Sequence, residues 1–377
     1  MEPRPGRLLS LDLFRGFTIA AMILVNDPGD GSASYWPLRH ANWNGWTPTD
    51  LVFPFFLFIV GVAMAFSLRS RLERGNTRAQ LLRHVLWRGA ALFAIGVFLN
   101  GFPNHYNFAH LRIYGVLQRI AICYVVTAVL ELWTGWRTQL AIAIVCLAGY
   151  WAMMRYVAVP GFGIPGRDIP LLDPDRNLVA WLDRKLLMGH LYEGTRDPEG
   201  VLSTIPAIAT SLFGLLTGKW LKTAYSLGMK TFALLAAGTA AIVVGEIMNV
   251  WFPINKKLWT SSYVVFTTGL ALLCLAACYW IADVKQWRGR WTWPILVFGT
   301  NAIAAYLLSE VVAAVLYRVS IQTASGERVS LLEKIYMHVF APLASPANAS
   351  LLYALVFVAA CWVVMAVLDR KGIVIKI

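Results

Sequence analysis

Charge is what this chain has least of. Asp, Glu, Lys and Arg make up 14% of its 377 residues, while 58% are hydrophobic; soluble globular chains carry about 25% charged and about 45–50% apolar residues. With a mean hydropathy of +0.60, that shortage excludes a soluble fold and makes lipid the solvent. Cysteine is scarce too: Cys123, Cys146, Cys274, Cys278 and Cys361 all fall inside apolar runs. Cys274 and Cys278 are one helical turn apart but have no accompanying histidine or second cysteine pair. They read as small packing residues, not as a disulfide framework. No His-x-x-x-His, paired Cys or acidic cluster argues for a metal site. Gly-x-Ser-x-Gly and P-loop patterns are missing as well, which removes two familiar routes to acyl and phosphoryl chemistry. Without an internal repeat, the chain lacks the inverted-repeat signature of many transporters. The net charge of +13 does not point to nucleic acid, because no basic stripe interleaves with stacking aromatics.

What is present is a series of apolar runs. A helix needs roughly 20 apolar residues to cross a hydrocarbon core about 30 Å thick. About ten runs qualify: 8–26, 50–68, 82–100, 114–132, 138–156, 201–218, 230–250, 259–282, 293–317 and 349–368. The 201–218 run is short and contains Pro206. With 16 Trp, 14 Tyr and 19 Phe, aromatic belts at the membrane boundaries are amply supplied. The expected fold is an all-α integral membrane protein, one domain over 1–377, built as a bundle of about ten transmembrane helices. The first run follows Arg4 and Arg7 and resembles a signal peptide, with Ser32-Ala33-Ser34 small enough for cleavage. It is longer than an ordinary h-region and contains Asp12 and Arg15, so it reads as a retained first span.

Orientation follows from lysine and arginine in the short loops. Arg69, Arg71, Arg74 and Arg78, then Lys219 and Lys222, then Lys285, Arg288 and Arg290, and finally Arg370, Lys371 and Lys376 share one side with Arg4 and Arg7 if ten spans are correct. The opposite short loops carry fewer: Arg39, Arg112, Lys256 and Lys257. Both termini are therefore expected in the cytoplasm. Three outer segments are long, 27–49, 157–200 and 318–348, with a short helix expected near Leu178–Met188 and an interfacial amphipathic helix over Leu331–Phe340.

Ionisable groups inside spans are costly and usually functional or paired. Asp12 and Arg15, three residues apart, read either as an internal ion pair or as a ligand site at Arg15. Arg119, beside Gln118, has no acid at helical spacing in its own span; Glu246 and Glu310 are its candidate partners, and an anionic ligand is the alternative. The densest polar constellation is the first outer segment, with Asn26, Asp27, Asp30, Tyr35, Trp36, Arg39, His40, Trp43, Asn44 and Asp50. Histidine, with an unperturbed pKa near ~6.5, takes and returns protons at neutral pH. A carboxylate such as Asp50 would fix the tautomer of His40. From residues alone, an interfacial imidazole in an aromatic belt is the reading of His40 that comes first. His105 and His110, with Arg112 close by, would line the same cavity; His84 suits an interface, and His190 and His338 lack a partner of note.

Several blocks share one pattern. They are Leu11-Asp12-Leu13-Phe14-Arg15-Gly16, Val25-Asn26, Tyr35-Trp36, His40-Ala41-Asn42-Trp43-Asn44-Gly45 and Asp50-Leu51-Val52-Phe53-Pro54. Further along come Arg112-Ile113-Tyr114-Gly115-Val116-Leu117-Gln118-Arg119, Asp197-Pro198-Glu199-Gly200, Asn255-Lys256-Lys257-Leu258-Trp259 and Gly299-Thr300-Asn301. In order, over nearly the whole chain, they resemble the heparan-α-glucosaminide N-acetyltransferase family of transmembrane acyltransferases. The resemblance implies that His40 is catalytic, with Asn26 and Asp50 beside it. It also implies substrate or CoA contacts at Arg15, Trp43, Asn44, Gln118, Arg119, Glu199, Asn255, Lys256, Trp259 and Asn301. It implies acetyl-CoA as the co-substrate, no metal, and transfer of an acetyl group from the cytoplasmic side to a glucosamine-type amine on the far side. The chain lacks the extra N-terminal domain of lysosomal members, so a multi-pass protein of a bacterial inner membrane is expected, with a sugar or glycan acceptor other than lysosomal heparan and a homodimer left open. The competing reading is a transporter or flippase of a sugar-linked or acylated lipid, with His40 as a proton-coupling site.

Overall fold

The computed structural model describes residues 8–102, 106–287, 289–322 and 328–375. Arg4, Arg7, His105, Arg288 and Lys376 lie outside them. Each of the ten apolar runs is helical: α1 Leu9–Asn26, α2 Val52–Glu73, α3 Arg78–Gly101, α4 Val116–Trp133, α5 Trp136–Tyr156, α7 Thr204–Leu221, α8 Leu227–Asn249, α9 Ser261–Tyr279, the pair α10 Trp293–Thr300 and α11 Ala302–Arg318, and α13 Pro346–Arg370. The outer segments add α6 Leu178–Leu186, a small antiparallel hairpin of β1 Ser320–Gln322 and β2 Arg328–Ser330, and α12 Leu331–Ile335. The two outer helices expected from sequence are present; the hairpin was not anticipated.

Among the described residues, eight helices are long and apolar enough to cross a membrane, or nine if α10 and α11 form one span. This is a multi-pass membrane protein. The remaining run, now α7, falls short of that apolarity because it carries threonines, Ser211 and Lys219. It packs between α2, α4, α5 and α9 instead of facing lipid. The expected span at 293–317 is not straight: α10 and α11 bend by 73°. A break inside apolar surroundings frees backbone groups that need partners. Asn301 sits at that break, and its amide donates to the Ile373 carbonyl at 3.2 Å and accepts from the Ile375 N–H at 2.9 Å. The C-terminal tail thus closes over the kink.

Polar contacts fix which helix ends lie together. The Ser10 N–H at the start of α1 bonds to Asp283 beyond α9 at 3.3 Å, and Lys219 at the end of α7 bonds to Gln139 at the start of α5 at 2.9 Å. Trp293, opening α10, bonds to Asp369 at the end of α13 at 3.1 Å. The start of α1 and the end of α13 therefore share one end of the bundle. The long 27–49 and 157–200 segments gather at the other.

Helix contacts in lipid rely on small residues that let backbones meet. At the crossing of α2 and α7, a Cβ on Gly61 would stand 2.0 Å from the Ser211 carbonyl oxygen, and one on Gly214 would stand 2.1 Å from that of Phe58. Adding atoms there has to push the helices apart. Gly214→Val is expected to cost about 1–3 kcal/mol of stability, read as a lower unfolding temperature in detergent. Gly149→Ala, where a Cβ meets nothing within 4 Å, should leave that temperature unchanged.

Candidate active site

The 27–49 segment ends in a tight turn, Thr47-Pro48-Thr49-Asp50, that runs straight into α2. Proline pre-sets the turn and Thr47 caps it, so Asp50 folds back over its own N-terminus. Its carboxylate is 1% exposed. One oxygen accepts from the N–H groups of Ala41 and Thr47, both at 3.0 Å, and from the Thr47 hydroxyl at 3.1 Å. The other oxygen faces His40 Nδ1 at 2.7 Å. A carboxylate oxygen only accepts here, so Nδ1 is the ring nitrogen that donates to Asp50. The His40 side chain is 48% exposed, at the mouth of the bundle. Beneath, the Tyr263 hydroxyl of α9 donates to the Asp50 carbonyl.

A second strap, between α8 and α9, closes over the imidazole. Lys256 Nζ lies 3.0 Å from Nδ1 and 3.2 Å from Nε2 of His40, and 3.6 Å from Asp50. Being near both ring nitrogens, the ammonium sits over the ring and not in line with one lone pair. Burial pushes the Lys256 ammonium below the ordinary lysine range, against the pull of Asp50 and Glu199. The strap is stapled to the first segment: Gly45 N–H donates to the Ile254 carbonyl at 2.8 Å, and the Asn255 amide donates to Asn44 at 3.1 Å. Asn255 also holds its own loop, accepting from Leu258 N–H at 2.9 Å. Trp259 turns the strap into α9 with φ +50, a left-handed conformation that costs energy for a bulky residue. Packing over-determines it: the ring is 1% exposed, meets Phe53 edge-on at 4.9 Å, and donates to the Thr210 hydroxyl at 3.2 Å.

Below Trp259 lies Arg119, fully buried, its guanidinium 5.0 Å from the indole. Neither Glu246 nor Glu310 is its hydrogen-bonding partner, contrary to the sequence expectation: Glu246 bonds to Asn249, and Glu310 to Asn26. Arg119 donates instead to the Gly200 carbonyl and to the Ser203 hydroxyl at the start of α7. The acid that feels its charge is Asp183 on α6, whose carboxyl burial pushes up to about 6. Gln118 faces elsewhere, against Gly96 and Gly115. Glu199 is held by Arg112, which also grips Asp197 through two nitrogens at 2.8 and 2.6 Å and stacks on Tyr192. Trp43 is fixed by its indole N–H on the Leu172 carbonyl at 2.7 Å, with Arg196 over its face.

Asn26 closes α1 on the same side of the bundle and donates to Glu310 of α11 at 3.5 Å. Beside it, burial and the neighbouring Glu310 push the Asp27 carboxyl up to about 8. Arg15 and Asn301 are at the opposite end. Arg15 bonds to Asp12 at 3.1 Å, the ion pair expected from their spacing, and to the Gly299 carbonyl at 3.3 Å. The structure thus gathers His40, Asp50, Lys256, Asn44 and Asn255 at one mouth, stacks Trp259 and Arg119 below it, and leaves Arg15 and Asn301 far away. His110 is exposed, and His190, expected to lack a notable partner, donates from Nδ1 to the Leu111 carbonyl at 2.7 Å. Among the described residues no group of three or more His, Cys, Asp or Glu is arranged to hold a metal.

The family profile described as heparan-alpha-glucosaminide N-acetyltransferase, catalytic, matches residues 7–235. The chain belongs to that family. It is 32% identical over 372 residues to the human heparan-alpha-glucosaminide N-acetyltransferase, covering 81% of this chain and 53% of the human protein. To the mouse heparan-alpha-glucosaminide N-acetyltransferase it is 33% identical over 362 residues, covering 81% of this chain and 54% of the mouse protein. The chain spans about half the length of these curated relatives. Within this N-acetyltransferase-family site, sequence reasoning missed Thr47, Tyr263 and Asp183. The Thr47-Pro48-Thr49-Asp50 turn did carry a capping signal.

The grip of Arg112 on two carboxylates, 0% and 10% exposed, leaves two buried charges uncompensated when the cation is removed. Arg112→Leu is expected to destabilise the protein by about 3–5 kcal/mol, and a second change, Asp197→Leu, should restore part of the loss in the same unfolding measurement.

Proposed function

We propose that this chain is a membrane-bound N-acetyltransferase that moves an acetyl group from cytoplasmic acetyl-CoA to the amine of an amino sugar or glycan on the opposite side of a bacterial inner membrane. Family membership supports the reaction class, and the His40–Asp50 pair at 2.7 Å carries the reading. In the short connections Lys and Arg are more numerous at the bundle end that holds the start of α1 and the end of α13 (Arg69, Arg71, Arg74, Arg78, Lys219, Lys222, Lys285 and Arg290, against Arg112, Lys256 and Lys257), which favours that end as the cytoplasmic one. His40 then faces the acceptor side.

His40 Nε2 takes the proton from the acceptor amine as its nitrogen forms a bond to the thioester carbonyl carbon. Asp50 holds the ring tautomer and offsets the positive charge the ring gains. The carbonyl oxygen becomes negative, and needs donors that are already in place. Lys256, over the imidazole, supplies a cation there. Asn26 has two amide hydrogens and spends one on Glu310, so the second is available to the same oxygen. The carbon–sulfur bond then breaks, and the imidazolium returns its proton to the departing CoA thiolate. Asn44 and Asn255 act by keeping the two straps in register, and Trp43 offers an aromatic face to a sugar ring. Arg119, beneath Trp259, and Glu199, held by Arg112, support the floor of the site, while Gln118 packs away from it against Gly96 and Gly115. Arg15 lies on the side where the nucleotide end of CoA arrives.

His40→Ala is expected to lower CoA release in the presence of glucosamine by about 10²–10⁴-fold, while CoA still raises the unfolding temperature. Normal transfer by that variant would overturn the assignment, and a trapped acetyl-histidine would replace proton abstraction with nucleophilic attack. Because burial lowers the Lys256 pKa, its charge is lost at a pH below that of an ordinary lysine, and activity should fall on the alkaline side as it is lost. Lys256→Arg should extend the alkaline limb of the rate profile upward, whereas Lys256→Met should remove the limb along with about 10²–10³ of the rate.

A further inference from the structure

The loop between α6 and α7 carries groups that the transfer reading leaves unused, and a closed ring of contacts sets it beside the His40 mouth. Trp43, three residues after His40, lies under the Arg196 guanidinium, whose carbon is 5.2 Å from the ring centroid. Arg196 bonds to Glu193 at 2.6 Å, and Glu193 accepts from Lys257 at 2.9 Å. Lys257 adjoins Lys256, which lies over His40. A second connection runs through Arg112. It bonds to Glu199, whose charge bears on Lys256, and its guanidinium sits over the Tyr192 ring, 4.4 Å from the centroid. The rest of Tyr192 stands in solvent, 66% exposed. Its backbone is pinned all the same. The Tyr192 N–H donates to Asp197 at 3.1 Å, the Glu193 N–H to the Arg196 carbonyl at 3.0 Å, and His190 to the Leu111 carbonyl at 2.7 Å.

What this surface can hold follows from which of its groups are already matched. Arg112, Arg196 and Lys257 are each paired with Asp197, Glu199 or Glu193, so the surface favours a neutral ligand over a phosphate. Lipid does not suit it either, because Asp175, 55% exposed and paired with Arg196, would lose its water there. That separates Tyr192 from the aromatics of a membrane belt. A ring held still in water among polar side chains suits a sugar. Its face takes the C–H side of a pyranose, and the polar rim takes the hydroxyls. Pinning the loop beforehand spares the entropy that a loose one would lose on binding. We propose that Tyr192 and the 193–196 turn form a second sugar subsite, seating the residue next to the terminal amino sugar, so that the preferred acceptor is a glycan of two or more sugars. This rests on the transfer reading above, in which the terminal amine meets His40 and Trp43 holds the terminal ring.

The experiment compares kcat/KM for free glucosamine with that for glucosamine linked 1,4 to glucose, in α and in β linkage, using the full chain in detergent with acetyl-CoA. For wild type, at least one disaccharide should exceed the free sugar by about tenfold, the factor that one well-seated aromatic contact gives. Tyr192→Ala should bring that ratio to within about twofold of unity, whereas Tyr192→Phe, which keeps the ring, should hold it near the wild-type value. Ratios within one variant are insensitive to how much protein is folded. A ratio left intact in Tyr192→Ala, whatever happens to the separate rates, would give the ring a structural role and overturn the subsite. So would a wild-type ratio near unity for both linkages, and either result leaves the transfer reading standing. A wild-type protein that acetylates none of the three sugars would sink the transfer reading, and this inference with it.

Discussion

The outer mouth of this bundle is organised around a single buried carboxylate. Asp50 is 1% exposed yet accepts from two backbone N–H groups, a hydroxyl and an imidazole. An unpaired charge at that depth would be prohibitive, so every donor around it is obligatory. Satisfying Asp50 pulls the 40s loop inward, orients the ring of His40 and draws Lys256 across from the far strap. Because Asp50 sits in the turn that runs into α2, its position is set by a helix packed against α1, α4, α7 and α9. The site is thus continuous with the fold.

Much of this was legible in the residues. All ten apolar runs became helices, and the Asp12–Arg15 pair formed at the spacing that suggested it. His40 and Asp50 are ten residues apart and meet because Thr47 and Pro48 turn the chain between them. Longer-range relations were not visible. Asn255 and Lys256 stand more than two hundred residues from the groups they touch, and only the resemblance brought them into view. For Arg119, the span pattern favoured acids within other helices. The structure satisfied it with a carbonyl and a hydroxyl at the start of α7, and Asp183 came from α6, the short helix of an outer segment. The α10–α11 break is weakly marked in hydropathy, since 293–317 reads as one long run interrupted only by Thr300, Asn301, Ser309 and Glu310; Asn301 marks the break, and its partners are in the tail.

The departures share a cause. Hydropathy reports contact with lipid, and the residues that depart from expectation are those whose surroundings are other helices. α7 carries threonines and Lys219 because neighbouring helices enclose it, and Lys219 finds Glu131 and Gln139 there. Trp259 holds a conformation that no local preference favours, because Phe53, Tyr263 and Arg119 leave the indole one place to go. Where tertiary contacts replace lipid, periodicity ceases to be a guide.

The glycine crossing of α2 and α7 also divides the labour of the site. Backbone touching backbone leaves no side chains to slide or repack, so the helix that begins at Asp50 is mounted like a post set in stone. The straps that carry His40 and Lys256 have no such crossing among the described residues; they are clipped together, and to Asp50, by a handful of hydrogen bonds, so the mouth takes its rigidity from the helix beneath it.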